Sequence, residues 1–311
     1  MTNLENIFYG VAIGCAVGDV LGRPVEGMSR EFIIERYGLL SDIMTNRYSD
    51  DTEMTIAVME ALCEDPELSP EVLASKFVQN FNPWRGYGPR TALAIRRLKE
   101  GARWEEVGTD SWGNGAAMRV SPIGCFFYDD LEKLVEKAFL SAIITHKHPE
   151  AIAGALAQAL AVALATRWSL ARAPKASQEL FSQIFCYVKP ISETFTNALE
   201  KLVTLPSPFP DLSEGSFLLS QAFPCDVSAK GSVPVAIGAF LFTDSFEEAL
   251  ITAINVGGDT DTIGAMTGAL AGAYYGLDAI PARWIQGIED GPKGKSYILN
   301  LARRLYEKKR R

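Results

Sequence analysis

Between Val256 and Gly276 the chain reads VGGDTDTIGAMTGALAGAYYG, and this stretch constrains the fold more than any other. Two glycines free the backbone, two carboxylates alternate with two hydroxyls, and an apolar, small-residue run follows. The run has the length and composition of a buried helix. Asp259, Asp261 and Thr262 then fall in its first turn, where a loop of small residues can aim several oxygens at one point. Oxygen donors suit a hard cation such as Mg²⁺ or Mn²⁺. The same residues also fit a helix N-cap, because Asp and Thr accept hydrogen bonds from the free N–H groups there.

A second stretch uses the same grammar. Tyr48-Ser49-Asp50-Asp51-Thr52-Glu53-Met54-Thr55 sets a hydroxyl and adjacent carboxylates just before a helical pattern from Met54 to Leu62. Adjacent Asp residues repel one another and need a counter-charge if they converge on a buried site. One oxygen-rich helix start is a cap; two look like the halves of a metal cage.

Charge decides which ligands such a chain can hold. With 38 acidic against 30 basic residues the net charge is −8, which argues against a nucleic-acid binder working by phosphate neutralisation. Nucleic acid stays conceivable only as a modified substrate. A phosphorylated ligand would need local devices: backbone N–H groups, metal ions or single basic side chains. Hydrophobic residues make up 48% of the 311, enough for a sizeable core. Five cysteines (Cys15, Cys63, Cys125, Cys186, Cys225) lack CxxC spacing, which suggests buried thiols in a reducing compartment. His146 and His148 are the only histidines, too few for His-rich zinc catalysis. Ile7 to Val17 is apolar but preceded by Glu5 rather than by positive charge. Ala151 to Ala165, interrupted by Gln158, reads as a core helix too short and too weakly apolar to span a membrane. A cytoplasmic chain with no membrane association is therefore expected.

Taken in order, the chain reads as helix after helix. Asn3 to Leu21 is the first, and Gly14, Gly18 and Gly22 recur along it every fourth residue, lining one face for close approach of another backbone. Glu26 follows Pro24 in a non-helical exit, either facing a cleft or solvated on a loop. Trp84 to Arg90 makes a glycine-rich loop before the helix Thr91 to Glu100, a natural anion cradle. Asp110-Ser111-Trp112-Gly113-Asn114-Gly115 is a second such loop, suited to presenting N–H groups to a diphosphate or forming an ordinary Asn-Gly turn. His146 sits in Thr145-His146-Lys147-His148-Pro149, where cap and ligand roles are both open. Later helices are expected at Val233 to Thr243, at Ser245 to Asn255 with a capping-box-like Ser245…Glu248, at Pro281 to Ile288, and from Lys295 onward. The final Lys308-Lys309-Arg310-Arg311 reads as solvated charge at a helix C-terminus. Leu205 to Pro210 has linker composition, but Asp50 and Asp51 can share a metal with Asp259 and Asp261 only if both halves form one structure. No alternating strands appear. The expected class is all-α, a compact single-domain orthogonal helical bundle over residues 1–311.

The ordered set of Gly18-Asp19 with Glu26, Ser49-Asp50-Asp51-Thr52, Arg85-Gly86-Tyr87-Gly88, Gly113-Asn114-Gly115 with Met118-Arg119, Thr145-His146 and Gly257-Gly258-Asp259-Thr260-Asp261-Thr262 resembles the ADP-ribosylglycohydrolase family. That family includes the dinitrogenase reductase-activating glycohydrolases and the ADP-ribosyl-serine hydrolases. The resemblance implies an all-helical fold with a dinuclear Mg²⁺ centre, sometimes Mn²⁺. It implies Ser49, Asp50, Asp51, Asp259, Asp261 and Thr262 as metal ligands. It implies Gly86, Tyr87, Gly88, Ser111, Trp112, Gly113, Asn114, Gly115 and His146 as the ADP-ribose cradle, with Gly257 and Gly258 beside it. Relatives acting on ADP-ribosyl-arginine carry an acid in the segment matching Trp84 to Gly88. This chain has none there, which favours the serine and O-acetyl-ADP-ribose branch, where the acid matching Glu26 is implicated in catalysis.

The expected reaction is hydrolysis at the distal ribose C1″ of ADP-ribose, with Glu26 positioning water or protonating the leaving oxygen and Asp50 or Asp51 as the other candidate base. Three rival readings use the same residues: a metal-dependent phosphohydrolase, a non-catalytic ADP-ribose reader, and a protein that neutralises an ADP-ribosylating toxin. The partner in the hydrolase and reader readings is ADP-ribose or a substrate carrying it, and in the last it is the toxin. Nothing in the sequence sets the oligomeric state, and a monomer meets every requirement read here.

Overall fold

The computed structural model describes residues 3–310, and among them only helices and three isolated β-bridges occur. The two glycine-rich runs become the helices Asn3–Gly22 and Thr260–Tyr275, which lie antiparallel at backbone contact through the centre of the molecule. A Cβ on Gly14 would sit 2.1 Å from the carbonyl oxygen of Gly268, on Gly18 1.9 Å from that of Gly264, and on Gly22 2.1 Å from that of Thr260. The stripe begins one turn earlier than read from sequence, at Gly10, and Gly264, Gly268 and Gly272 answer it from the other helix. Only hydrogen at each of these positions permits the approach.

Around this pair the apolar helices close one core. Asp50–Glu64 and Lys295–Lys309 pack on the first helix, while Pro149–Ala171, Ala229–Leu241 and Phe246–Ile254 pack on Thr260–Tyr275. Residues on both sides of the Leu205–Pro210 segment contribute to that core. Pro149–Ala171 has 23 residues and begins before and ends beyond the expected Ala151 to Ala165. Contrary to the sequence reading, it is long and apolar enough to cross a membrane, as is Asn3–Val25; 94% and 78% of their apolar windows are buried inside the protein. Its starting signal is local: Pro149 at the first position and His148 as the cap, its ring accepting the Glu150 N–H at 3.2 Å.

Three helix starts refine the sequence reading. Asp50–Glu64 begins at the aspartates themselves, with Ser49 capping it by accepting the Asp51 N–H at 3.1 Å. Asp259 occupies the N-cap of Thr260–Tyr275 but makes no side-chain cap hydrogen bond, so its carboxylate is free for other partners. Ser245 accepts the Glu248 N–H at 3.1 Å, while Glu248 accepts from Asp244, one residue before the partner a capping box would use. At the far end, Lys309 is not simply solvated: it pairs with Asp129 at 2.5 Å and lies over Tyr128 and Phe126.

Candidate functional site

The antiparallel glycine pair determines what meets what. It carries Asp19 and Arg23, at the end of the first helix, to the start of Thr260–Tyr275, and Thr260 seals the junction by donating to the Gly22 carbonyl at 2.8 Å. Asp19 is fully buried and caps a different element. Both its oxygens accept the Ser49 N–H at 2.9 Å, and Oδ2 also accepts from the Thr52 N–H at 3.1 Å and the Thr52 hydroxyl at 2.6 Å. The start of Asp50–Glu64 is thereby pinned beside Asp261. Backbone pairing fixes the remaining loops: Gly27 donates to Gly258 and Gly258 to Met28, each at 2.8 Å, Asp259 donates to Cys225 at 2.7 Å, and Asn114 to Val227 at 2.9 Å. Gly257 and Gly258 take φ of +81° and +77°, the left-handed turn these contacts require, and a Cβ on Gly258 would meet the Cys225 carbonyl at 2.0 Å.

These elements enclose a cleft of about 380 Å³. Of the residues picked out from sequence, Glu26, Asp50, Asp51, Gly86, Gly88, Ser111, Trp112, Gly113, Asn114, Gly115, His146, Asp259, Asp261 and Thr262 line it. Four do not. Ser49 lies behind Asp51, donating to its Oδ2 at 2.7 Å. Tyr87 turns away and donates to Glu53 at 2.8 Å, and Gly257 and Gly258 shape the turn that aims Asp259.

One end of the cleft is crowded with negative charge. Asp50, Asp51, Asp259 and Asp261 are all buried, and burial pushes every one of their carboxyls above the usual range, Asp50 to about 8. Neighbouring carboxylates add to the effect at each site, Asp19 against Asp50 and Asp51, Asp51 against Asp261, and Glu26 against Asp259. Arg23 is the nearby cation, 3.3 Å from Asp261 and 4.0 Å from Glu26. Asn114 neutralises part of Asp259 by donating at 2.5 Å. Asp51 Oδ1 is buried with no hydrogen-bond partner among the described residues. Two groups of carboxylate oxygens, from Asp19, Asp51 and Asp261 and from Glu26, Asp259 and Asp261, each gather within 4.8 Å and share Asp261. An orphaned buried oxygen among mutually repelling carboxylates is what a divalent cation would satisfy, so the residues fit a metal.

Among the described residues, the other end is free of carboxylates and rich in donors. His146 is fully buried at its ring, and desolvation together with Arg119 and Arg90 pulls it down to about 3, so it is neutral at physiological pH. Its tautomer follows from the hydrogen bonds behind it. Arg119 donates to the Thr145 hydroxyl at 2.8 Å, and that hydroxyl lies 2.7 Å from His146 Nδ1. The Thr145 hydroxyl has one proton and two lone pairs, one of them taken by the guanidinium; with its proton directed at Nδ1, the ring would carry its own proton on Nε2. Nε2 stands beside Gly113 and Gly115, and the missing side chain of Gly115, whose Cβ would meet the ring at 2.9 Å, makes room for it. Pro89–Lys99 opens on the same end with Arg90 and Thr91, offering the unpaired N–H groups of a helix start.

Sequence reasoning passed over Asp19 and Arg23 as individual residues, and Arg90, Thr91, Met118 and Val227 as cleft lining. Asp19 carried a signal: it is the first charge after Glu5, in the middle of a glycine-striped apolar helix. Arg23 lies four residues on, one turn along the same face. Val227 carried none, since its place depends on backbone pairing with Asn114.

Fold and site together define a helical protein whose acid-floored cleft is able to hold metal ions. A family model described as ADP-ribosylglycohydrolase matches residues 1–311. Human ADP-ribosylhydrolase ARH3 is 31% identical over 84% of this chain and 79% of its own. A protein of Archaeoglobus fulgidus described only as uncharacterized is 33% identical over 98% of this chain and 97% of its own. A solved structure described as an ADP-ribosylglycohydrolase-related protein complex superposes with a TM-score of 0.76 at 25% identity, covering 99% of this chain and 100% of that one. The chain belongs to the ADP-ribosylglycohydrolase family. It is a hydrolase of glycosyl bonds that acts on ADP-ribosylated substrates.

Proposed function

We propose that the protein releases ADP-ribose by cleaving at ribose C1″, with serine- and O-acetyl-type linkages favoured over arginine and with two divalent cations, Mg²⁺ or Mn²⁺, as cofactors. The observation that carries this reading is one cleft with two chemically opposite ends: buried carboxylates sharing Asp261, and hydrogen-bond donors around His146. ADP-ribose has the matching polarity, a polyhydroxylated ribose at one end and a diphosphate further along. Asp51, Asp259 and Asp261, with Asp50 and Thr262 beside them, would hold the cations. Bound there, divalent ions would supply Lewis-acid polarisation and an anchor for ribose hydroxyls.

The chain's own residues supply the rest. His146 Nε2–H, the N–H groups of the Pro89–Lys99 start and the single cation Arg90 would hold the diphosphate, and Ser111 with Gly113 would shape its path. The buried carboxylates would stabilise positive charge developing at C1″. Glu26 stands at the mouth, its side chain 51% exposed, within reach of both the acidic floor and solvent. It is placed to hold a water, or to pass a proton to the departing oxygen. The absence of an acid from Trp84 to Gly88 is the feature favouring serine and O-acetyl linkages.

The test is release of free ADP-ribose, with and without Mg²⁺, from an ADP-ribosyl-serine peptide, ADP-ribosyl-arginine and O-acetyl-ADP-ribose. We expect release from the first and third that is lost in Asp261→Ala. Glu26→Gln should slow turnover by about 100-fold, the worth of one general acid or base, while metal still binds. Appearance of AMP or phosphate instead would favour the phosphohydrolase reading, and ADP-ribose binding without any release would favour a reader.

A further inference from the structure

Beside the acidic end, sharing Arg23 with the cleft, lies a second depression of about 250 Å³ lined by Arg23, Pro24, Thr45, Arg47, Tyr48 and Trp84. Arg23 borders both spaces, and a Cβ on Gly86 would lie 3.2 Å from its guanidinium and 3.7 Å from Asp50, so the residue the two spaces share stands close to the carboxylates. Three properties set it apart. Trp84 is 85% exposed, more than any other large apolar side chain among the described residues. Arg47 is exposed and its side chain makes no ion pair or hydrogen bond among the described residues. The surrounding chain carries a net charge of −8, so two arginines with no carboxylate on the depression's wall stand out from the general surface.

The turn that carries the tryptophan is braced. Trp84 sits in the 3₁₀ turn Pro83–Arg85, capped by Asn82, which accepts the Trp84 N–H at 3.2 Å. The next residue, Arg85, is clamped on three sides: it donates to the Tyr48 carbonyl at 2.8 Å, pairs with Glu289 at 2.5 Å and stacks over the Tyr48 ring at 3.8 Å. Glu53 holds the turn from behind by accepting the Asn82 N–H at 2.8 Å. The backbone under the indole is braced and the ring is turned outward, so it offers an aromatic stacking surface at a defined place on the molecule.

We propose that this depression is the subsite for the leaving-group side of the substrate, and that it takes the polypeptide flanking the modified residue, with acidic side chains preferred. This rests on the reading that ribose C1″ lies over the acidic floor. ADP then extends toward His146, and the bond to be cut points the other way, past Arg23. A chain leaving there runs along Trp84 and between two guanidiniums, where carboxylates on the peptide would meet Arg47 and the outer face of Arg23. A small leaving group such as acetate does not reach this surface.

The test uses two metal-loaded variants altered only at exposed groups, Arg47→Glu and Trp84→Ala, with Arg303→Glu as a charge control on the last helix. Substrates are ADP-ribosyl-serine peptides that differ only in flanking Asp/Glu against Lys, and O-acetyl-ADP-ribose. We expect kcat/KM on the acidic peptide to fall about fivefold to tenfold in Arg47→Glu, the worth of one lost and one reversed surface contact, with O-acetyl-ADP-ribose unchanged. Trp84→Ala should weaken both peptides and spare the small substrate. Equal losses on peptide and small substrate, or an acidic-peptide rate untouched by either variant, would overturn the subsite. Fluorescence anisotropy of labelled, intact ADP-ribosyl peptides reads the same preference as affinity. The preference should appear there even if wild-type protein releases no ADP-ribose, which would sink the hydrolytic reading and not this one.

Discussion

His146 shows how much one side chain's surroundings decide. Buried and facing two guanidiniums, its imidazole is held at about 3, against 6.5 in a free chain. Between those values the unfolded chain binds up to one more proton than the folded one. This group's contribution to stability is therefore full above pH 6.5 and is lost as pH falls toward 3, by at most about 1.4 kcal/mol per pH unit. Denaturation of wild type and His146→Gln at a series of pH values should give curves that converge on acidification through that window; parallel curves would mean that the ring is not held neutral. With only two histidines in the chain, ring ¹⁵N spectra should also show His146 as the Nε2–H tautomer, and Thr145→Val should disturb it where Thr145→Ser does not. Asp261 is the opposite case, a carboxylate raised by burial and by its neighbours. Replacing it with Asn removes repulsion, so metal-free Asp261→Asn should melt higher than metal-free wild type. Added Mg²⁺ should then raise the melting temperature of wild type alone, since a ligand at 100 times its Kd stabilises by about 2.7 kcal/mol. A variant that melts lower and still responds to Mg²⁺ would contradict the metal assignment.

At the scale of elements, the Asn3–Gly22 and Thr260–Tyr275 pair matters most, because the site hangs from its end. Gly18→Ala would gain about 1 kcal/mol of helix propensity. The new methyl, however, would stand 1.9 Å from the Gly264 carbonyl oxygen, backbone against backbone, with no flexible side chain to give way. Overpacking of this kind costs about 1–3 kcal/mol, and backbone against backbone the upper end applies, so after the propensity gain the net effect should be about 2 kcal/mol destabilising and should lower the melting temperature by about 2–4 °C per kcal/mol. The same shift would separate Asp19 and Arg23 from Asp261, so metal affinity should fall with it. Gly291→Ala, where a Cβ would meet nothing within 4 Å, is the control and should change neither. Glycine spacing along the first helix was readable in the sequence. Its partner stripe was equally present, at Gly264, Gly268 and Gly272, but lay inside a run whose composition already spoke for a buried helix. The cap reading of Asp259 was likewise open from sequence, and only the absence of a cap hydrogen bond closes it.

Across the whole molecule, local information was enough for local outcomes. The all-α class, most helix positions and the small-residue contact face follow from periodicity and capping, which act over three or four residues. The identity of the acidic clusters was legible for the same reason, because a carboxylate pair at an apolar helix start is conspicuous within a few positions. What the tertiary structure alone decided is which distant groups share one space. Arg23 meets Asp261 across 238 residues, Asn114 meets Asp259 across 145, and Ser49 and Tyr87 turn out to stand behind the cleft rather than in it. Side-chain direction at such positions depends on long-range packing, on a glycine stripe admitting a neighbour and a loop pairing with a turn, and no pattern within one segment contains it.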